Sequence, residues 1–179
     1  MPDAACSYIY CDHNQRHEQT QTALLSSLLQ QTLQQSTTGT LPPEISSLYN
    51  LHQKYGTRPT LSQITENLRR LLSKLRVVYI IIDALDECAE NEEEALAFVS
   101  TVCSLGSQVK VLCTSRPSAT FKTYFEGSTT LSISARDDDI RMFLEAQIQQ
   151  HHKLQRHTKG DPTLGEDIVT SVIQESQGM

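Results

Sequence analysis

Residues 77–88 read VVYIIIDALDEC, six apolar residues in a row followed by three carboxylates within five positions. Val77 to Ile82 do not alternate with polar residues, so a strand here is expected to be covered on both faces, as at the centre of a parallel sheet packed by helices. Asp83 then emerges at the carboxyl end. In open α/β sheets ligands settle in the crevice beyond those ends, which puts Asp83, Asp86 and Glu87 where a bound cation or phosphate would lie. The plainer reading of the same letters is a polar strand-to-helix loop whose acids cap the helix that follows.

Upstream, AACSYIYC at 4–11 is a β-prone run that predicts a buried strand, with a polar turn after it. From Glu18 to Gln35, Leu25, Leu28, Leu29 and Leu33 recur at helical spacing while glutamines crowd the opposite side, the pattern of an amphipathic helix with a solvated face. Gly39 interrupts it. Pro42 and Pro43 then open a second helix with Ile45, Leu48, Leu51 and Tyr55, stopped by Gly56. Thr60 followed by Gln63 is a capping box, and Leu61, Ile64, Leu68, Leu71, Leu72 and Leu75 make a helical stripe leading into residue 77. A crossover of this length implies a helical insertion between the first two strands.

Downstream, Asn91 and the acids Glu92, Glu93 and Glu94 suit a helix start, with Phe98, Val99, Val102 and Cys103 inward and Gly106 closing it. The strand VKVLC, 109–113, runs into TSRPS, where Pro117 forbids continued pairing and Arg116 is left just past a carboxyl end. Read alone, this is a strand and a turn with an exposed arginine. Phe121, Tyr124 and Phe125 predict a helical turn, and TTLSI at 129–133 a further strand. Asp137, Asp138 and Asp139 start a helix with Ile140, Phe143, Leu144 and Ile148 inward, 154–163 reads as a linker, and 166–177 as a last helix.

Composition narrows the classes. The chain has 179 residues, 38% hydrophobic and 20% charged, in the range of one ordinary globular domain. A net charge of −6 disfavours a sequence-independent grip on nucleic acid or an anionic membrane. No apolar run approaches the ~20 residues of a bilayer span and no basic-then-apolar signal opens the chain, so a cytoplasmic location is the expectation. The five cysteines show no C-x-x-C spacing and are expected to be free thiols. His13 and His17, with Cys11 and Asp12, lack a second ligand pair for zinc and read as polar surface.

The pattern h-h-h-h-D-A-L-D-E resembles the Walker B segment of NACHT-type P-loop nucleotidases, signal-transducing ATPases of the STAND class. A similar IDALDEC occurs in the nephrocystin-3-like N-terminal domain and in several fungal proteins of that kind. One strand later, Thr114-Ser115-Arg116 resembles the T-S-R of the sensor 1 position, whose basic or polar residue faces the γ-phosphate. The resemblance implies a three-layer αβα fold with a mainly parallel sheet, Mg²⁺ and ATP or GTP as ligands, and homo-oligomers. Carried onto this chain, Asp83 would hold the metal through water. Asp86 and Glu87 would orient or deprotonate the attacking water, and Thr114, Ser115 and Arg116 would meet the nucleotide.

The family's phosphate cradle, G-x-x-x-x-G-K-[ST], has no counterpart among the seven glycines, and the family would place it before residues 4–11. The expectation is therefore a partial P-loop fold with its P-loop strand missing: residues 1–135 as the partial nucleotide-binding core and 136–179 as the start of a helical accessory region. In the related folds the missing strand lies between the T-S-R strand and the one expected at 129–133. Such a chain is expected to be part of a nucleotide-dependent conformational switch, inactive alone. Two rivals remain: a non-catalytic interaction module or degenerate remnant that binds no nucleotide, and an unrelated Mg²⁺-dependent hydrolase built on Asp83, Asp86 and Glu87.

Overall fold

The computed structural model describes residues 3–35 and 41–176. They form two compact units, Met1–Glu126 and Gly127–Met179. The first is α/β and carries the three strands β1 (Ala4–Tyr10), β2 (Val77–Asp83) and β3 (Val109–Cys113). All pairing is parallel, in the order β1-β2-β3, with Tyr10 beside Asp83 and Ile82 beside Cys113. The apolar 77–82 run therefore occupies the centre of the sheet, and the carboxyl ends of all three strands lie together.

Helices α1 (Gln21–Gln35), α2 (Pro43–Tyr55) and α3 (Leu61–Leu72) fill the first crossover, and α4 (Glu92–Cys103) the second. α1 packs on β1 and α3, and α4 on β3. Gln21 of α1 donates to Thr101 Oγ1 of α4 at 2.6 Å, which seats these helices side by side. Their apolar stripes, Leu24, Leu25 and Leu28, Ile64, Leu68 and Leu72, Phe98, Val99 and Val102, close over Val78, Ile80 and Ile82 in one core. Burying each such side chain stabilises by about 1.5–3 kcal/mol. Local signals set the helix ends. Thr60 and Gln63 complete the capping box of α3, Asn91 Oδ1 accepts the Glu94 N–H at 2.9 Å to start α4, and Gly56 takes the left-handed conformation that ends α2.

Among the described residues only one face of the sheet is covered. Burial along β1 and β2 alternates: Ala5, Ser7, Ile9, Val78, Ile80 and Ile82 face the helices, while Tyr8, Tyr10, Tyr79 and Leu112 are exposed. The two-sided burial expected from the unbroken apolar run is thus corrected to two layers, sheet and one helical layer, of a three-layer αβα arrangement. Tyr79 and Ile81 meet no covering layer among the described residues.

The two sheet edges differ. Along the free edge of β1, Gln31 accepts the Tyr8 N–H at 2.9 Å and donates to the Tyr8 carbonyl at 2.7 Å. Gln35 does the same to Cys6, at 3.1 and 2.7 Å, and Gln19 to Asp12, at 3.0 and 2.7 Å. A primary amide carries one donor and one acceptor at peptide spacing, so each glutamine stands in for a residue of a neighbouring strand. The glutamines read as a solvated face are in these three positions an edge cap. β3 carries no such cap on its outer edge among the described residues.

α5 (Ala119–Tyr124) ends the first unit, with Phe121 in the core. The second unit holds α6 (Asp137–Gln150), α7 (His152–Gly160) and α8 (Pro162–Ser176), packed on one another and tied by Arg141 Nη1 to Glu166 at 2.8 and 2.9 Å. Three expectations fail here. Residues 129–133 form no strand, and Leu131 and Ile133 are exposed: a β-prone stretch without a ladder neighbour gains no pairing energy. The linker expected at 154–163 is mostly helix, because its Leu, Gln, Arg and Lys are good helix formers despite the stretch's overall polarity, and only Asp161-Pro162 breaks it. Phe143, expected inward, is 61% exposed.

Candidate functional site

The site forms where β2 and β3 end. Asp83 closes β2, and Ala84 then takes a left-handed conformation, φ 55° and ψ 52°, which turns the chain sharply into a 3-10 turn at Leu85–Glu87. Thr114, the first residue past β3, fixes that turn. Its N–H donates to the Ile82 carbonyl at 2.9 Å and its carbonyl accepts from Leu85 N at 2.8 Å. Its hydroxyl accepts from Ala84 N at 2.9 Å and donates to Asp83 Oδ1 at 2.5 Å. Leu85, fully buried, anchors the loop, and Asp86 and Glu87 are left facing the end of β3.

Arg116 meets both acids. Its backbone N–H donates to Asp86 Oδ1 at 3.0 Å, its Nε to Oδ2 at 2.6 Å, and its Nη2 to Glu87 Oε1 at 2.9 Å. Partial burial pushes the Asp86 carboxyl up, but the Arg116 backbone and guanidinium bonds outweigh it and hold it below the usual carboxylate range. The Asp86 hydrogen bond likewise raises the Arg116 guanidinium. Ala84, Asp86, Glu87, Thr114, Ser115 and Arg116 line an open cleft of about 280 Å³. The sequence-predicted residues thus converge, with Asp83 one step away, joined through Thr114.

A second set of residues, from the turn after β1, braces the acidic loop from the other side. His13 N–H donates to Glu87 Oε2 at 3.1 Å, Arg16 Nη2 to the Asp86 carbonyl at 2.9 Å, and Gln19 Nε2 to the Glu87 carbonyl at 3.2 Å. Nothing in the spacing of His13, Arg16 and Gln19 announces this, since the partners lie about seventy residues away and two of the acceptors are backbone oxygens.

Among the described residues no group of three or more His, Cys, Asp or Glu side chains is arranged to hold a metal ion. Asp83, Asp86 and Glu87 do not form a three-carboxylate metal cluster, and two of them are paired with Arg116. Of the three, Asp83 has one oxygen held by Thr114 and no bond to Arg116. No helix among the described residues is long and apolar enough to cross a membrane.

A family profile described as nephrocystin 3, N-terminal, matches residues 2–116, more than half of the chain, from the start of β1 to Arg116. No curated protein matches the chain. No solved structure matches it either.

Proposed function

Because the chain belongs to the nephrocystin 3 N-terminal family, we propose that its first unit is the metal-and-water half of a NACHT-type nucleotide switch. The observation supporting this reading is the meeting of Asp86, Glu87 and Arg116 at the carboxyl ends of two adjacent parallel strands, with Asp83 joined to them through Thr114, where α/β sheets take ligands. Asp83 would hold Mg²⁺ through water, and Mg²⁺ would neutralise phosphate charge there. Glu87, held by His13 N–H on one oxygen, orients or deprotonates a water molecule with the other, Asp86 being its neighbour. Arg116, with Thr114 and Ser115 beside it, supplies positive charge to a terminal phosphate of ATP or GTP.

For that, Arg116 must exchange its carboxylate partners for phosphate, so the ion pair with Asp86 and Glu87 is the nucleotide-free position of the switch. A phosphate cradle docked on the uncapped edge of β3 would complete the site, and oligomerisation would follow closure. The test is binding of a fluorescent ATP or GTP analogue with and without Mg²⁺. Weak, Mg²⁺-dependent binding that disappears in Asp83→Ala supports the reading. Binding that is absent, or indifferent to Asp83, overturns it for this chain.

A second reading, a non-catalytic interaction module, is favoured by the same ion pair: Arg116 is already neutralised, and Tyr8, Tyr10, Tyr79 and Leu112 form an uncovered apolar sheet face. Absent nucleotide binding by a folded chain selects it.

A further inference from the structure

The exchange of Arg116 from carboxylates to phosphate leaves a charge uncompensated. The Arg116 side chain is 71% exposed and able to turn outward, whereas that of Asp86 is only 15% exposed and that of Glu87 27%. When the guanidinium departs, Glu87 keeps the His13 N–H on Oε2 and is the acid that meets water in the proposed chemistry. Asp86 keeps the Arg116 backbone N–H on Oδ1, but Oδ2 loses its donor. A nearly buried carboxylate stripped of its cation is costly, because water no longer reaches it freely. A second guanidinium already stands at the same residue. Arg16, in the turn after β1, donates from Nη2 to the Asp86 carbonyl at 2.9 Å. Among the described residues it is the other cation bonded to this loop, it forms no ion pair there, and its Nε is buried without a partner. A buried N–H is normally spent on an acceptor, so that Nε is a donor in reserve. The His13 N–H on the Glu87 carboxylate and Gln19 on the Glu87 carbonyl fasten the same turn to the loop, and neither bond involves Arg116.

We propose that Arg16 is the relief cation of the acidic loop: when Arg116 leaves, the Arg16 guanidinium takes over the Asp86 carboxylate and leaves Glu87 open to water. Arg16 is thereby a positioning residue, acting through Asp86. In the nucleotide-free position Asp86 is balanced by Arg116, and in the other position by Arg16, so the carboxylate stays ionised and paired in both. Arginine suits this role because its planar fork offers several donors, one able to stay near the carbonyl while others meet the carboxylate. The handover lowers the cost of freeing Arg116 for an anion, a cost that a lone salt bridge would impose in full. The inference deepens the nucleotide reading and rests on it for the event that draws Arg116 away. Deleting the Arg116 side chain reproduces that event with no nucleotide present.

The experiment uses the whole chain and urea unfolding at neutral pH. Arg116→Ala removes the guanidinium but keeps the backbone N–H on Asp86. Arg16→Gln is then introduced into the parent, into Arg116→Ala, and into Arg116→Ala with Asp86→Asn. The expected result is that Arg16→Gln lowers the folding equilibrium constant at least about fivefold more in Arg116→Ala than in the parent. Asp86→Asn, which removes the charge to be balanced, abolishes that extra loss. An Arg16 that only holds the Asp86 carbonyl gives equal losses in all three backgrounds, and that outcome overturns the proposal. An extra loss that survives Asp86→Asn overturns it as well. Should Arg116→Ala with Arg16→Gln fail to fold, recovery of the fold by Asp86→Asn supports the handover, and continued failure overturns it. Nucleotide plays no part in the readout, so a chain that binds no ATP analogue can still pass this test, and one that binds it can still fail.

Discussion

Replacing Gln31 and Gln35 together by alanine removes both glutamine caps from the edge of β1 itself, Gln19 serving Asp12 just beyond it, while leaving the α1 backbone intact. Four hydrogen bonds disappear, two to Tyr8 and two to Cys6. A hydrogen bond contributes about 0.5–1.5 kcal/mol net, and these are solvent-exposed, so water replaces each and the low end applies, roughly 2 kcal/mol for the four. Alanine returns a few tenths of a kcal/mol per position through its better helix propensity, leaving a loss of about 1–1.5 kcal/mol. Thermal midpoints of chains this size move ~2–4 °C per kcal/mol, so a fall of about 2–6 °C is expected. The uncapped N–H and C=O groups also offer a strand template, so sedimentation velocity should show self-association absent from the parent. Gln30→Ala with Gln34→Ala, two exposed positions of the same helix, controls for composition. If the capped pair and the control pair melt alike and both remain monomeric, the amides merely rest on the strand and the reasoning fails.

Two further outcomes follow from the loop. Ala84 holds a left-handed conformation that costs an L-residue about 1–2 kcal/mol, against the ~0.5–1 kcal/mol that glycine adds to unfolded-chain entropy. The Ala84 methyl also packs against the core, and losing it costs up to about 0.8 kcal/mol, so Ala84→Gly should leave the urea midpoint within the equivalent of about 0.5–1 kcal/mol of the parent, and a larger fall would mean that the left-handed conformation costs alanine little here. Asp86 has a folded pKa below its unfolded one, so its contribution to stability is fully present above the unfolded value of about 3.9 and is lost as pH falls through the folded value. Asp86→Asn should accordingly be less stable than the parent at pH 6 and lose that deficit below about pH 4. A deficit that persists at pH 2.5 would assign it to packing.

The order of helices and strands through residue 126 was legible because caps and apolar stripes are local. Thr60 with Gln63, Asn91, Gly56 and the unbroken 77–82 run each act within a few residues. What the letters could not carry was which sheet face would be covered. Val77 to Ile82 are apolar on both sides, and only the positions of α1, α3 and α4 decide that Ile80 is buried and Tyr79 is not. The glutamines are a sharper case. Gln30 and Gln34 point to solvent, whereas Gln19, Gln31 and Gln35 cap a strand, and no local signal separates the two sets. The strand expected at 129–133 fails for the complementary reason, since a strand exists only with a neighbour.

At the candidate site, the acids and Arg116 were legible as a set but their mutual engagement was not. Motif reading assigns Asp86 and Glu87 to water and Arg116 to phosphate, as if each faced an absent ligand. In the structure they face each other, at 2.6 and 2.9 Å, and the loop is braced from behind by His13, Arg16 and Gln19. The pairing is chemically reasonable, because opposite charges placed at adjoining strand ends satisfy one another when nothing else is bound. It also makes any anion compete with two carboxylates for one guanidinium. A phosphate ligand must therefore bring either its own cation, which on the proposed reading Asp83 would hold through water, or a further donor to take over the released acids. Under that competition Mg²⁺ dependence is the property that separates a nucleotide site from a salt bridge that merely joins β2 to β3.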